Sequence, residues 1–567
     1  MNPSACDAAC IRILPSGTTV TAKIGESVYG LLVRVGVDTA GVCGGAGLCH
    51  KCLVRFLDPK PTPCPEETAH LTSAQLAQGW RLACRHIVQT NAAIYVPAIS
   101  DPSLQKMPVA APSAPPRLEA LRLDALAGRH RKPEGKPHWL GSGLCPQWPD
   151  SPDTGSIRLA LDIGTTSLAG QLVDATSRRV LANTATANPQ SLYGADVMTR
   201  IRFVQQDVRA HTHEMHRLVH QGIAAVLKEL ERRAGASLLD VGHVAIAGNP
   251  TMLHLVLGVS PVSLGRSPYE PAFADRIVLR AEESGLPIRP DARIDILPGI
   301  SGFVGADLIA GIYAVRLCQQ HEPELLIDLG TNGELALWTG RELLVTSTAA
   351  GPAFEAASIS CGMRAVDGAI DRVILHGGEP TYSVIGGGTP RGLCGSGLVD
   401  AIAICRHLGL IGPHGRILHV AEDRSGRVVG SGQDARIVLV DDTVTLTQRD
   451  IRELQLAKGA VRAGLDTLLA HAGLHVGDLR RIAIAGALGS NLEPAHLFEI
   501  GLLPAEAESA EIEAPGNTAC LGAARLLESP RQLEQADHIA RAAHAMNLGT
   551  DPTFRRAFAR HMALQRQ

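Results

Sequence analysis

The sequence predicts a multidomain chain of α+β and α/β class, in which a small β-rich domain, a linker and a duplicated α/β unit follow one another. Three observations predict this order. Three cysteines share one glycine-rich loop, AGVCGGAGLCHKC, with five residues and then two between Cys43, Cys49 and Cys52, while Cys84 stands apart in GWRLACRH. The composition then turns to Pro, Ala, Gly and Ser over 100–156. Beyond it, a strand ending in an Asp-x-Gly-Thr turn occurs twice, as LDIGTT and IDLGTN, and each copy is followed by a later strand ending in AIAG. At 567 residues the chain exceeds one ordinary domain, and roughly 150 residues per domain suggests three or four folding units.

Within 1–99, the segments IRIL, TVTAKI, CLVRF and IYVPAI read as strands and SVYGLLVRVGV as a helix. The cysteine pattern is a metal clamp. Zinc ribbons usually bring two short CxxC pairs, whereas one loop with three ligands plus a distant fourth is the plant-type arrangement for a 2Fe-2S cluster, here with altered spacing. Gly44, Gly45 and Gly47 let that loop wrap tightly and bring backbone N–H groups near the sulfurs. On these residues the domain resembles the β-grasp ferredoxins, and Cys43, Cys49, Cys52 and Cys84 are the expected cluster ligands. Cys64, in PTPCPEE, reads as an incidental thiol, and Cys6 and Cys10 have no partners at ligand spacing.

APSAPPR, HRKPEGKPHW and QWPDSPDTG suit an extended or partly ordered tether over 100–156. From Ile157 the second unit begins. IRLALDIGTTSLAGQLVDA is a strand, a turn carrying a carboxylate and hydroxyls, and a returning strand; LLIDLGTNGELALW repeats the design. The strands HVAIAGNPT and RIAIAGALGSN follow in the same order, so the pattern is an internal duplication, with halves of about 157–322 and 323–545. One Asp-Gly turn alone is ordinary hairpin chemistry; two, each paired with an AIAG strand, call for a common purpose. Facing tips can aim N–H groups and Thr hydroxyls at a polyphosphate, and their carboxylates can hold Mg²⁺ through water. This resembles the actin, sugar-kinase and heat-shock-chaperone ATPase superfamily, built from ribonuclease-H-like halves. The resemblance implies a first phosphate loop of Asp162, Gly164, Thr165 and Thr166, and a second of Asp328, Gly330, Thr331, Asn332 and Gly333. It makes IAIAGALGSN, with Gly486, Ala487 and Gly489, the adenosine motif. No Walker-type GxxxxGKS/T occurs.

Three further segments belong to the candidate site. Gly351 opens GPAFE, which either brings the Glu355 carboxylate to the cleft or is a turn entering a helix. Gly395, Ser396 and Gly397 lead into a helix as an anion seat, with close helix packing as the alternative. Thr447 and Asp450 form a capping box for a helix whose Gln455 and Lys458 reach adenine or ribose, unless they sit on an ordinary exposed face. Cys318, Cys361, Cys394, Cys405 and Cys520 lack ligand spacing and read as small buried residues. Residues 546–567 read as a basic helical tail.

A net charge of -3 and the absence of a Lys/Arg run exclude a nucleic-acid or membrane-surface protein. With no bilayer-length apolar stretch and no signal-like start, a cytoplasmic protein is expected. Thirteen cysteines fit a reducing compartment.

Taken together, the ferredoxin motif, spacer, LDIGTT, GNPTMLH, LLIDLGTNGE, AAGPAFE, GLCGSGL and IAGALGSN resemble the reductive activators of corrinoid-dependent enzymes. That resemblance implies ATP-driven return of a Co(II) corrinoid protein of a methyltransferase system to Co(I), an upstream electron donor, and Asp162, Asp328 and Glu334 as unranked Mg²⁺ or water-positioning groups. The short middle segment leaves a homodimer open, and no cysteine group follows Cys520, unlike the version with C-terminal 4Fe-4S centres. The alternatives are an activator of dehydratase type and a small-molecule kinase with a metal-binding domain.

Overall fold

The computed structural model describes residues 8–14, 17–35, 37, 52–71, 73–96, 155–420, 423, 425–441, 443–486, 488 and 493–565. Cys43, Cys49, Ala487, Gly489 and nearly all of the expected linker lie outside the described residues. The described chain divides into two units, one of residues 8–96 with 189–218 and one of residues 155–188 with 219–565.

In the first unit, β1 (Ala8–Leu14), β2 (Thr18–Lys23), β3 (Leu53–Asp58), β4 (Trp80–Leu82) and β5 (Ala92–Tyr95) form a sheet of order β2-β1-β5-β3-β4. β1 and β5 are parallel and the other pairs antiparallel. Alternation along β1 sends Ile11 and Ile13 inward and leaves Cys10 exposed. The helix Val28–Arg34 lays Val28, Leu31 and Leu32 against that inner face, giving one core with Val54, Leu82 and Ile94. This is the β-grasp arrangement expected. Residues 189–218 bring an element that the motifs did not announce: Tyr29 donates its hydroxyl to Leu192 O at 2.7 Å, and Tyr193, Phe203 and His211 stack in series.

In the second unit the duplication is visible strand by strand. The first half has β6 (Ile157–Ile163), β7 (Ser167–Asp174), β8 (Val180–Ala187), β9 (Val241–Gly248), β10 (Ile277–Arg280) and β11 (Arg293–Ile296), in the order β10-β11-β9-β6-β7-β8. The second half has β12 (Glu324–Leu329), β13 (Gly333–Trp338) and β14 (Leu343–Thr348). Next come two small sheets, β15 (Ala369–His376) with β16 (Glu379–Val384) and β17 (Gly392–Leu393), and β18 (Val428–Val429) with β19 (Arg436–Val440) and β20 (Val444–Thr447). Then β21 (Arg481–Gly486), β22 (Glu511–Gly516) and β23 (Ala543–Ala545) complete a sheet of order β22-β21-β12-β13-β14-β23. Each half thus has an antiparallel three-strand meander whose first strand pairs in parallel with its AIAG strand. The registers coincide: Asp162 faces Ala247 and Ile163 faces Gly248, as Asp328 faces Ala485 and Leu329 faces Gly486.

Two helices, Ala306–Ala314 and Thr518–Leu526, cross between the halves with little between their backbones. A Cβ on Gly522 would lie 1.9 Å from Ala310 O, and one on Gly311 would lie 3.0 Å from Thr518 Oγ1, so glycine is what permits the crossing. The segment expected as a basic helical tail forms the helix Pro552–Arg560 and packs on the second half. β23 pairs with the edge strand β14, the helix Pro552–Arg560 packs on the helix Gln448–Ala472, and Leu564 is fully buried.

Candidate functional site

The β3–β4 pairing sets two of the expected ligands side by side. With Leu53 opposite Leu82 and Ala83 donating its N–H to Cys52 O at 2.8 Å, Cys52 and Cys84 flank the open end of that pair. Their thiols are hydrogen-bonded to one another. The Cys52 thiol beside it, against the opposing effect of burial, brings the Cys84 thiol down to about 7. Behind them the fully buried Glu67 accepts N–H groups from Leu82 (2.6 Å) and Cys64 (2.9 Å) and meets His86 Nε2 at 2.9 Å. A buried carboxylate satisfied on both oxygens fixes the strand that leads into Cys84. Cys64 opens the helix Pro65–His70: its N–H donates to Glu67 and its carbonyl accepts from the N–H groups of Glu67 and Thr68, both at 3.1 Å. A soft thiolate pair on a rigid hairpin end suits an iron-sulfur cluster.

In the second unit a cleft is lined by Asp162, Gly164, Thr165, Asp328, Gly330, Thr331, Asn332, Glu334 and Gly486, all expected from the sequence. The turns that carry them are tied at several points. Asn188, fully buried, donates to Gly164 O at 2.9 Å; Asn249 donates to Thr165 Oγ1 at 2.9 Å and with its Oδ1 caps the helix Pro250–Val256. The Gly330 N–H closes the second turn on Asn332 O at 2.9 Å. Gly486 has φ 97°, and a Cβ there would lie 2.5 Å from Asp328 Oδ1, so only glycine lets this strand end pass the carboxylate.

Other lining residues stand outside the tandem motifs: Asp307, Leu308, Asn517 and Ala519 come from the crossing helices and their starts, and Glu355 from GPAFE. Asn517 donates to Asp162 Oδ2 at 2.8 Å while its own Oδ1 accepts from Cys520 N at 2.8 Å, and Thr518 Oγ1 lies 3.5 Å from Asp328 Oδ2. One helix start therefore touches the aspartates of both halves. The signal for it was GNT after β22, matching GNPT after β9. Asp307 had only a weak signal, an acid in the first turn of an otherwise apolar helix.

These acids crowd one another. Both hairpin aspartates keep an edge on the cleft, yet the protein around them raises each carboxyl to about 7. For Asp162 burial leads, with Asp307 and Glu355 adding repulsion against the Asn517 amide; for Asp328 burial leads, followed by Asp307 and Asp162. Burial lifts Asp307 to about 6, and Glu334 stands well above the ordinary range through burial and then Asp307 and Asp328.

Other expected site residues sit elsewhere. Gly333 is a packing residue: a Cβ would meet Val461 Cγ2 at 2.5 Å. Gly395 and Gly397 pass within Cβ reach of Phe354 O and Ile370 O, and Ser396 donates to Asp371 O at 2.8 Å, which is the close-packing alternative. Gly351 is a turn at φ 77° leading to Glu355. Gln455 and Lys458 require a correction as cleft residues. Gln455 donates to Met562 O at 2.6 Å and His414 O at 3.1 Å, and Lys458 donates to Ala563 O and Gly501 O, so the chain's last turn covers both. Burial brings the Lys458 ammonium down to about 7.

Comparison with known proteins accounts for the chain along most of its length. Residues 11–89 match the 2Fe-2S iron-sulfur cluster binding domain, 157–320 the RACo middle region, and 322–567 the C-terminal domain of RACo, the ASKHA domain. The corrinoid activation enzyme RamQ of Eubacterium limosum is 35% identical over 408 residues, covering 70% of this chain and 68% of that protein. The [Co(II) methylated amine-specific corrinoid protein] reductase of Methanosarcina barkeri is 27% identical over 435 residues, covering 70% and 75%. The solved reductive activator for corrinoid, iron-sulfur protein superposes with a TM-score of 0.68 at 27% identity over 98% of both chains. A 2Fe-2S ferredoxin domain joined to an actin-like ATPase fold, with relatives of this kind across both parts, places the chain in the RACo family of corrinoid activators.

Proposed function

We propose that this protein is an ATP-dependent reductive activator that passes an electron from its 2Fe-2S cluster to a Co(II) corrinoid protein, restoring Co(I) for methyl transfer. The observation that carries this reading is the occurrence, in one chain, of the Cys52–Cys84 pair and of two duplicated turns that meet over an acidic cleft. Cys43 and Cys49 complete the cluster ligands, and an upstream donor recharges the cluster between turnovers.

The energetics require both parts. Plant-type clusters lie near about -400 mV, and each ~59 mV uphill costs about 1.4 kcal/mol for one electron. A gap of ~240 mV is then about 5.5 kcal/mol, what a ligand supplies by shifting a two-state equilibrium from 1:99 to 99:1. ATP binding in the cleft is a source of that size.

Within the cleft, Thr165, Thr166 and Thr331 and the N–H groups of the two turns receive the phosphates. Asp162, Asp307, Asp328 and Glu334 orient the attacking water, and Asn517 holds Asp162 at a fixed angle to it. The set of oxygen donors suits Mg²⁺, which when bound offsets phosphate charge. The domain division we propose is 1–99, 100–156 and 157–545, with 546–567 serving the ATPase.

The test is anaerobic. With the cluster reduced, candidate Co(II) corrinoid proteins are mixed with the protein with and without ATP, and Co(I) absorption is followed. Co(I) should form only with ATP; formation at the same rate and extent without nucleotide would exclude the proposed coupling.

A further inference from the structure

Thr166 and Thr331 belong to turns from opposite halves, and their hydroxyls meet at 2.9 Å. Both also donate to the same oxygen, Glu355 Oε2, at 2.5 Å from Thr166 and 2.8 Å from Thr331. Two hydroxyl donors from opposed turns converging on one anionic oxygen make an anion seat, and its occupant is the chain's own carboxylate. The segment beneath it is shaped to present that one side chain. Ala353 and Phe354 are buried and fix the backbone, while Gly351 at φ 77° and Ala356 at φ 56° bracket it. A left-handed alanine is a strained conformation, held only where the surroundings impose it.

We propose that Glu355 is the residue that distinguishes ATP from ADP. Without nucleotide its carboxylate holds the place of the terminal phosphate between Thr166 and Thr331; a terminal phosphoryl group, with more oxygens and more charge, displaces it, whereas a diphosphate leaves it in place. This rests on the nucleotide reading of the cleft. Displacement breaks the hydrogen bonds that tie the two turns through Glu355 and replaces them with bonds through the ligand, so the turns register the third phosphate directly. A seat already filled lowers apparent affinity by the fraction of time it is open. A carboxylate in place nine-tenths of the time weakens triphosphate binding about tenfold.

The experiment titrates the full-length protein, with Mg²⁺, against a non-hydrolysable β,γ-imido triphosphate and against ADP by calorimetry. Glu355→Ala should bind the triphosphate about tenfold more tightly with ADP affinity unchanged, and Glu355→Gln, which keeps shape but loses charge, should move the same way by less. Should the alanine variant not fold, the glutamine variant carries the test. Triphosphate affinity that is unchanged or weaker in the variants, or an equal gain for ADP, overturns the role of Glu355 while leaving the nucleotide reading intact. Binding of neither nucleotide by the wild-type protein overturns that reading and this proposal with it.

Discussion

Asp162 and Asp328 stand at about 7 where an exposed carboxyl would be near 3.8, so each takes up a proton on folding. A carboxyl raised in this way contributes most to stability below its unfolded value and loses that contribution as pH rises through about 7. Asp328→Asn should therefore raise the melting temperature of the nucleotide-free protein at pH 8 and change it little at pH 4, while abolishing ATP hydrolysis. A thermal scan across pH reads the first effect and phosphate release the second; equal shifts at both pH values would show that the cleft does not repel the charge. Asn517 has two tasks on one side chain, capping a helix and holding Asp162. Asn517→Ala should cost about 1 kcal/mol of stability for the cap and slow hydrolysis as well, whereas Asn517→Ser, which restores a cap, should recover the stability and not the rate. At this scale the sequence showed the turn residues, because Asp-x-Gly-Thr is contiguous. It concealed Asp307 and Asn517, since they reach the cleft only where two helices distant in sequence cross. Gln455 and Lys458, expected to reach adenine or ribose, are instead covered by a segment about a hundred residues further on, which their helix spacing cannot show.

Among the elements, the first hairpin of each meander was legible because its two strands and turn are contiguous, and the AIAG partners because their tetrapeptide repeats; the third strands, β8 and β14, carried no motif. The helix crossing was not legible, because nothing local marks Gly311 and Gly522 as a contact between halves. Gly522→Ala inserts a methyl against Ala310 O and should destabilise by roughly 1–3 kcal/mol, the usual cost of overpacking, measurable by chemical denaturation. Since Asp307 and Asn517 lie on these same helices, nucleotide affinity should fall in step; a destabilised variant with unchanged affinity would separate the crossing from the cleft. In the β-grasp domain the ligand spacing identified the cluster, but the Glu67 buttress was invisible, as its three partners come from both sides of the Cys84 turn.

For the whole molecule, the electron path and the ATP cleft should fail separately. Cys84→Ser should bleach the 2Fe-2S visible absorption and abolish Co(I) formation while leaving triphosphate affinity within about twofold, since the cluster ligands and the cleft share no residue. Asp328→Ala should do the reverse, keeping the visible spectrum and losing Co(I) formation. Loss of both properties in either variant would argue against two separable parts in one chain. The order of domains was legible because each carries its own motif.

The burial of Leu564 and the pairing of β23 with β14 also bear on how the protein is made. Domains usually fold as units while the chain is still being synthesised, N-terminal parts first. The ferredoxin sheet can close early, but the first half waits for the helix Thr518–Leu526 that packs on β6 and β9, and the second half lacks an edge strand and the cover over Lys458 until residues 543–564 have emerged. A ribosome stalled before that point would therefore hold a finished electron carrier beside an unfinished ATPase, with Lys458 exposed to solvent. The packing of the second half is therefore finished only after residues 543–564 have emerged.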